Sequence, residues 1–383
     1  MTPGARIQAA IEILDRIAAG DAAERALTNW ARASRFAGSK DRAAVRDHVF
    51  DVLRRWRSTA AQGGAETGRG RMLGLLRQQE TDPDTLFTGE GHAPAPLSVE
   101  ERAGGIEPQG ASALDLPDWL FDRLAASLDD PRAVAEALRH RAPVFLRVNL
   151  LRGGRDAARA ALAAEGIETQ VSALSGTALR VVEGARRLSG SRAYAEGLVE
   201  LQDAASQAVV DALPLGPGMR VLDYCAGGGG KALAMAARTL APVEAHDADP
   251  RRMADLPQRA LRAEADIRIV ASPASGYDLV LCDVPCSGSG AWRRAPEAKW
   301  RLTPVDLTRL MAVQAEILDT CAALVAPGGA LAYATCSVLR DENGAQVDGF
   351  LDRVTGWSVD NDRQFLPSDE GDGLYVAVLR RET

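Results

Sequence analysis

Arg220-Val221-Leu222-Asp223-Tyr224-Cys225-Ala226-Gly227-Gly228-Gly229-Gly230-Lys231 is the stretch on which the fold turns. Its apolar start reads as a strand over Arg220–Tyr224, and helical spacing resumes over Lys231–Leu240. Strand, glycine turn and helix in that order open a βαβ unit. Glycines let the backbone approach a ligand closely, and the amides at the next helix start can face an anion. The turn lacks the G-x-G-x-x-G pattern of dinucleotide sites. Taken alone, such a run also describes an ordinary loop.

The same alternation continues downstream. Strands are expected at Val243–His246, Arg268–Ala271, Leu279–Asp283, Ala330–Ala334 and Leu374–Arg380, with helices at Arg251–Ala263 and Leu307–Val325. This is an α/β pattern, a doubly wound and mostly parallel sheet. Upstream, Ile7, Ile11, Leu14 and Ile17 recur at helical steps. Ser39 is a candidate N-cap for a helix through Val45, Val49, Val52, Leu53 and Trp56. Residues 60–70 are Gly-rich and read as a loop, Met72–Gln79 as helix, and Leu116–Leu138 as one helix. Pro143–Leu151 alternates like a strand, Asp156–Glu165 is helical, and Leu179–Val182 and Leu198–Gln202 are short strands. The expected domains are 1–140, all helical; 141–202, a small α+β segment; and 203–383, the α/β domain.

In an open α/β sheet, ligands bind outside the carboxyl ends of the strands. Asp223 and the glycine turn, Asp247, the Asp283-Val284-Pro285-Cys286-Ser287-Gly288 turn and the Thr335-Cys336-Ser337 turn all fall at such ends. A thiolate can add to an electron-poor ring carbon and leave again, so Cys286 and Cys336 point to covalent chemistry on a nucleobase. Asp283 can hydrogen-bond the Watson–Crick edge of cytosine, and Asp247 can accept from ribose hydroxyls. The plain alternatives are a turn cap for Asp283 and a helix cap before Pro250 for Asp247. Cys225, Cys282 and Cys321 read as thiols that pack. The positive end of a helix or Lys299 is expected to lower a thiol pKa at the Cys286 and Cys336 turns. The run Trp292–Arg301 interleaves aromatic and basic residues and offers stacking and phosphate contacts for unpaired bases. Its alternative is packing of the two Trp.

The chain has 383 residues and a net charge of −7, with 46% apolar residues. Overall acidity argues against nucleic acid, yet between Ala31 and Arg77 eleven basic residues face four acidic ones. A local basic face serves phosphate contact, unless it is a solvated helix face. Only Lys40, Lys231 and Lys299 interrupt the use of arginine among 45 basic residues, which singles out the two beside the motifs. Five cysteines without C-x-x-C spacing suit a reducing cytoplasm rather than a disulfide framework. The four histidines are scattered, so no metal site is expected. No apolar run approaches the ~18 residues of a membrane span.

On Asp223–Lys231, Asp283–Gly290 and Ala334-Thr335-Cys336-Ser337, the chain resembles the Sun-type (Fmu/Sun) RNA (cytosine-5)-methyltransferase family, in its bacterial branch acting on 16S ribosomal RNA. Leu201-Gln202-Asp203-Ala204-Ala205-Ser206-Gln207 and Gly38-Ser39-Lys40-Asp41-Arg42 extend the likeness over nearly the whole chain. The resemblance implies a Rossmann-like S-adenosylmethionine-dependent methyltransferase domain behind a helical NusB-like RNA-binding domain. It implies Cys336 as nucleophile and Cys286 as an aid to product release. It also implies Cys225, Ala226, Gly227, Gly228, Gly229, Gly230, Lys231, Asp247 and Asp283 as contacts to S-adenosylmethionine or the cytosine. Two departures stand out. Gly227 and Gly228 replace Ala and Pro of the usual motif, and Ala271-Ser272-Pro273 stands where an Asp usually follows strand three, so that contact is either lost or supplied by Ser272.

Four rival readings remain at this point. Cys286 could be the nucleophile, as in the DNA enzymes; the target could be an amino group; the RNA could be transfer RNA; or the chain could be a non-catalytic RNA-binding assembly factor.

Overall fold

A computed structural model describes residues 1–383. The chain divides into two compact units, one of Met1–Ala125, Asp129–Arg141 and Trp292–Arg301, the other of Ala126–Leu128, Ala142–Ala291 and Leu302–Thr383.

The first unit is helical. Its leading helix, Pro3–Ala18, has Pro3 in the first turn, and Thr2 Oγ1 accepts from the Ala5 N–H at 3.2 Å. This is a side-chain cap of the usual kind. Ile7, Ile11, Leu14 and Ile17 form one buried stripe that packs with Val45, Val49, Val52, Leu53, Met72 and Leu76. Three local expectations are corrected. Ser39 is the first helical residue of Ser39–Arg54 and not its cap; Gly38 is, and its N–H donates to Asp41 Oδ2 at 3.2 Å. Residues 60–70 are not a loop throughout, because helices run over Trp56–Gly63 and Gly68–Gln78. The glycines there serve contact: a Cβ on Gly63 would stand 1.7 Å from the Gly70 carbonyl oxygen, and one on Gly74 1.9 Å from that of Thr59. Helix 116–138 is two helices, Asp118–Ser127 and Pro131–Leu138. Pro131 has no N–H to continue the first, and Asp130 caps the second through the Ala133 N–H at 2.9 Å.

The second unit holds two sheets. Strands β1 (Val144–Val148), β2 (Glu168–Val171), β3 (Ala178–Glu183) and β4 (Val199–Leu201) form an antiparallel sheet in the order β2-β3-β1-β4. The helix Arg155–Ala164 buries Ala158 and Leu162 in the same core as Leu146, Val148 and Leu179. Strand β2 went unread because only Thr169 is buried on it.

The larger sheet has seven strands in the order β10-β11-β9-β8-β5-β6-β7. These are β5 (Val221–Asp223), β6 (Val243–Ala245), β7 (Ile267–Ile269), β8 (Tyr277–Asp283), β9 (Val325–Thr335), β10 (Trp357–Phe365) and β11 (Leu374–Arg381). Pairings β5–β6, β6–β7, β5–β8 and β8–β9 are parallel, while β11 runs antiparallel to β9 and β10 antiparallel to β11. Strand β10 and the helix Gly344–Arg353 are absent from the sequence-based expectation. The strand is an edge, exposed along most of Trp357–Gln364, so it carries no buried alternation to read. The chain leaves β5 toward β6 and β7, then returns to the other side of β5 for β8. That reversal is a topological switch point at the carboxyl ends of β5 and β8, the place where ligands bind in open α/β sheets.

Candidate active site

The glycine turn leaves β5 at Asp223 and enters the helix Gly230–Thr239. Gly227 and Gly229 have φ of +49° and +75°, and a Cβ on Gly229 would lie 2.1 Å from Leu256 Cδ1. Neither position takes an L side chain without strain. The turn is held by its neighbours. The Ala226 N–H donates to the His246 carbonyl at 2.8 Å, and the Gly227 N–H to Asp247 Oδ2 at 3.0 Å. Asp247 is buried, and Arg252 pairs with it at 3.1 Å. The cap before Pro250 is Asp249, whose Oδ1 accepts from the Arg251 N–H at 3.1 Å. Two arginines that the motifs did not single out also grip the turn: Arg259 donates to the Gly228 carbonyl and Arg147, from β1, to that of Gly230. Arginine is too common in this chain for either to stand out.

Lys231 and Asp283 meet at 2.7 Å between Nζ and Oδ2. Burial disfavours the Lys231 charge, but the Asp283 and Asp223 carboxylates outweigh it and raise the ammonium above an ordinary lysine. Asp223 itself is buried, and its Oδ1 has no hydrogen-bond partner. Burial, then the Asp283 charge, pushes Asp223 up to about 7. A carboxyl raised on folding stabilises the fold fully only below its unfolded value, and that contribution is lost as pH rises through the folded one. The stability of Asp223→Asn relative to the parent chain should therefore grow between about pH 4 and 7 and level off above, as measured by urea titration of both proteins across that range.

The two motif cysteines converge: Cys286 Sγ lies 3.3 Å from Cys336 Sγ. Both residues are half-buried. The hydrogen bond from Cys286 holds the Cys336 thiol below its ordinary range, against the opposing effect of burial. The same contact and burial push Cys286 well up. The contact and its surroundings favour ionisation at Cys336 over Cys286. Cys225 is driven upward by burial, and Cys282 and Cys321 are fully buried among the apolar residues between β8 and the helix Pro304–Ala322.

Two expectations fail here. Lys299 is not the cation beside the thiols: it is buried in the helical unit, where its Nζ donates to the Arg54 carbonyl at 3.0 Å. Lys231 takes that place: its charge lowers the Cys336 thiol, while the Asp283 and Glu342 charges oppose it. The run Trp292–Arg301 is not an open stacking surface. Trp292 and Arg293 are buried, and Trp300 Nε1 donates to the Leu53 carbonyl at 2.7 Å. Its polar groups satisfy the end of the helix Ser39–Arg54 instead. Ser272 is exposed on the bend after β7.

A family profile described as 16S rRNA methyltransferase RsmB/F matches residues 210–380, and one for the RsmF/B-like ferredoxin-like domain matches residues 116–186. Ribosomal RNA small subunit methyltransferase B of Pasteurella multocida is 33% identical over 345 residues, covering 83% of this chain and 72% of that protein. The chain belongs to the RsmB/F family of 16S rRNA methyltransferases. The protein of the same description from Cronobacter sakazakii is 34% identical over 330 residues, covering 81% of this chain and 73% of its own. A methyltransferase homologue protein from Pyrococcus horikoshii superposes with a TM-score of 0.62 at 21% identity, over 71% of this chain and 97% of that one, a likeness in fold. In this RsmB/F chain the glycine turn and both cysteine turns fall within the matched 210–380 stretch, and β1 to β3 fall within the ferredoxin-like match. No helix is long and apolar enough to cross a membrane.

Proposed function

We propose that this chain methylates C5 of an unpaired cytosine in small-subunit ribosomal RNA, with Cys336 as the attacking thiolate and Cys286 as the thiol that assists release. The observation that carries this reading is the 3.3 Å contact between the two sulfurs, with Lys231 and Asp283 acting on the same site. The relatives' common description as small subunit methyltransferases supports RNA of that class as the substrate. The target base must leave its stack to reach a thiol, which favours a looped or otherwise unpaired cytosine.

S-adenosylmethionine is the cofactor and supplies the electrophilic methyl group. The residues fit it. Three carboxylates, Asp223, Asp247 and Asp283, stand at the carboxyl ends of β5, β6 and β8, a charge pattern that complements a sulfonium and ribose hydroxyls. The turn over residues 225–231 would hold the group, with Asp247 at the ribose, and the buried Asp223 Oδ1 has no protein donor of its own.

Cytosine C5 is a poor nucleophile. Addition of the Cys336 thiolate to C6 forms a carbon–sulfur bond and moves an electron pair toward N3, leaving C5 enamine-like. Asp283 accepts from the exocyclic amine, and its partner Lys231 lies where an ammonium can donate to the developing charge. After C5 is substituted, a base removes its proton, the pair reforms the C5–C6 double bond, and the sulfur leaves. Cys286 stabilises the departing thiolate by the same hydrogen bond that lowers it in the resting site. Cys286 as nucleophile would need the raised thiol to ionise first.

Small-subunit RNA transcribed with tritium at cytosine C5 should lose label to water in step with methyl incorporation. Methylation without tritium release would move the reaction to an amino group and sink the proposal.

A further inference from the structure

Beneath both cysteine turns lies a carboxylate the chemistry above leaves unused. Glu342, on the short turn Arg340–Glu342, is fully buried. Its Oε1 accepts from the Ser287 N–H at 2.8 Å and from Gln314 Nε2 at 3.1 Å. Its Oε2 accepts from the Ser287 hydroxyl at 2.5 Å and from the Ser337 hydroxyl at 2.6 Å. Every partner is a donor, so the arrangement suits the ionised group. Ser287 follows Cys286 and Ser337 follows Cys336, so one oxygen ties together the residues next to the two thiols. The tie extends outward. Gln314 Nε2 donates to the Pro285 carbonyl at 2.9 Å, and Ser289 Oγ lies 2.8 Å from Ser337 Oγ and accepts from the Val338 N–H at 2.9 Å.

We infer that Glu342 is a positioning residue, whose carboxylate sets the separation of Cys286 and Cys336 so that one proton can serve both sulfurs. The inference rests on the roles proposed for the two thiols. A contact between sulfurs is weak and cannot hold two turns in register by itself. Hydrogen bonds to an ionised acceptor are about twice as strong as neutral ones, and four of them converge on this one group. The groups acting on Cys336 are Cys286, Asp283, Lys231 and Glu342, and Cys286 has the largest effect. The Glu342 charge by itself raises Cys336, so an upward shift on neutralising Glu342 can come only from loss of the Cys286 contact.

The test follows alkylation of Cys336 by iodoacetamide across pH in the full-length chain, read by peptide mass spectrometry, so that it does not depend on methylation. Glu342→Gln keeps the volume but points an amide donor at donors. Its alkylation midpoint should move up by about one unit as the Cys286 contact loosens, and kcat should fall about 100-fold, while S-adenosylmethionine affinity is unchanged. In a Cys286→Ala background the same substitution should not raise the midpoint further. Ser287→Ala and Ser337→Ala each delete one tie with Glu342 in place, and should shift the midpoint the same way by less. These two variants serve if Glu342→Gln does not fold. An unmoved midpoint in folded variants that merely melt earlier, or a shift undiminished by Cys286→Ala, would overturn the positioning role. Methylation surviving in Cys336→Ala would instead overturn the catalytic reading, whatever the alkylation shows.

Discussion

Cys336→Ala should bind S-adenosylmethionine normally and methylate RNA at about 10⁻⁴ of the parent rate or less, since removal of a nucleophile leaves only positioning and electrostatics. The reason lies in the ring. Without a sulfur on C6, C5 has no electron pair to offer, and no arrangement of Lys231 and Asp283 supplies one. The substitution should leave the turn intact, because its frame does not use the sulfur: Thr335 Oγ1 donates to Asn343 Oδ1 at 2.6 Å, and the Ser337 N–H to Thr335 Oγ1 at 3.1 Å. Methyl incorporation and C5 tritium release, measured together, check the result. Loss of both with cofactor binding retained is the expected outcome. Retention of either at more than a trace removes Cys336 from the nucleophile's role.

Cys286→Ala should give the opposite kind of failure, a protein–RNA adduct that survives denaturation. Elimination must expel Cys336 as a thiolate, and a thiol leaves faster when its pKa is lower. The hydrogen bond from Cys286 is the chief cause of that lowering. Without it, addition still proceeds with help from Lys231, whose ammonium form is favoured by Asp283, but departure slows. Labelled RNA on a denaturing gel should then show a shifted band in Cys286→Ala, none in the parent, and none in the Cys286→Ala, Cys336→Ala double variant. A shifted band formed by Cys336→Ala and missing from Cys286→Ala would exchange the two roles.

Much of the α/β unit was legible before the structure. The strands β5, β6, β8, β9 and β11 are largely apolar and buried, and the first four end in turn residues, so their period and punctuation identify them. Strand β10 was invisible because an edge strand with one partner needs no buried face. The Gly-rich stretch 60–70 misled for a related reason. Glycine marks close approach as well as turns, and only the packing of Gly63 and Gly74 against backbone carbonyls tells which. Trp292–Arg301 misled because alternating aromatic and basic residues describe a stacking surface and a buried helix cap equally well.

The sequence by itself determined the alternation of strand and helix from β5 to β9 and the delivery of the glycine turn, Asp247, Asp283, Cys286 and Cys336 to strand ends, because those features depend on residues adjacent in the chain. Only the tertiary structure decided that the two motif sulfurs meet, that Lys231 and not Lys299 pairs with Asp283, and that Glu342 bonds to both cysteine turns. The sulfurs are 50 residues apart in sequence, Lys231 and Asp283 are 52 apart, and Lys299 finds its partner 245 residues away within the helical unit. Proton sharing and charge pairing act over a few ångströms of space, and no local pattern specifies which distant residues will fall within that reach.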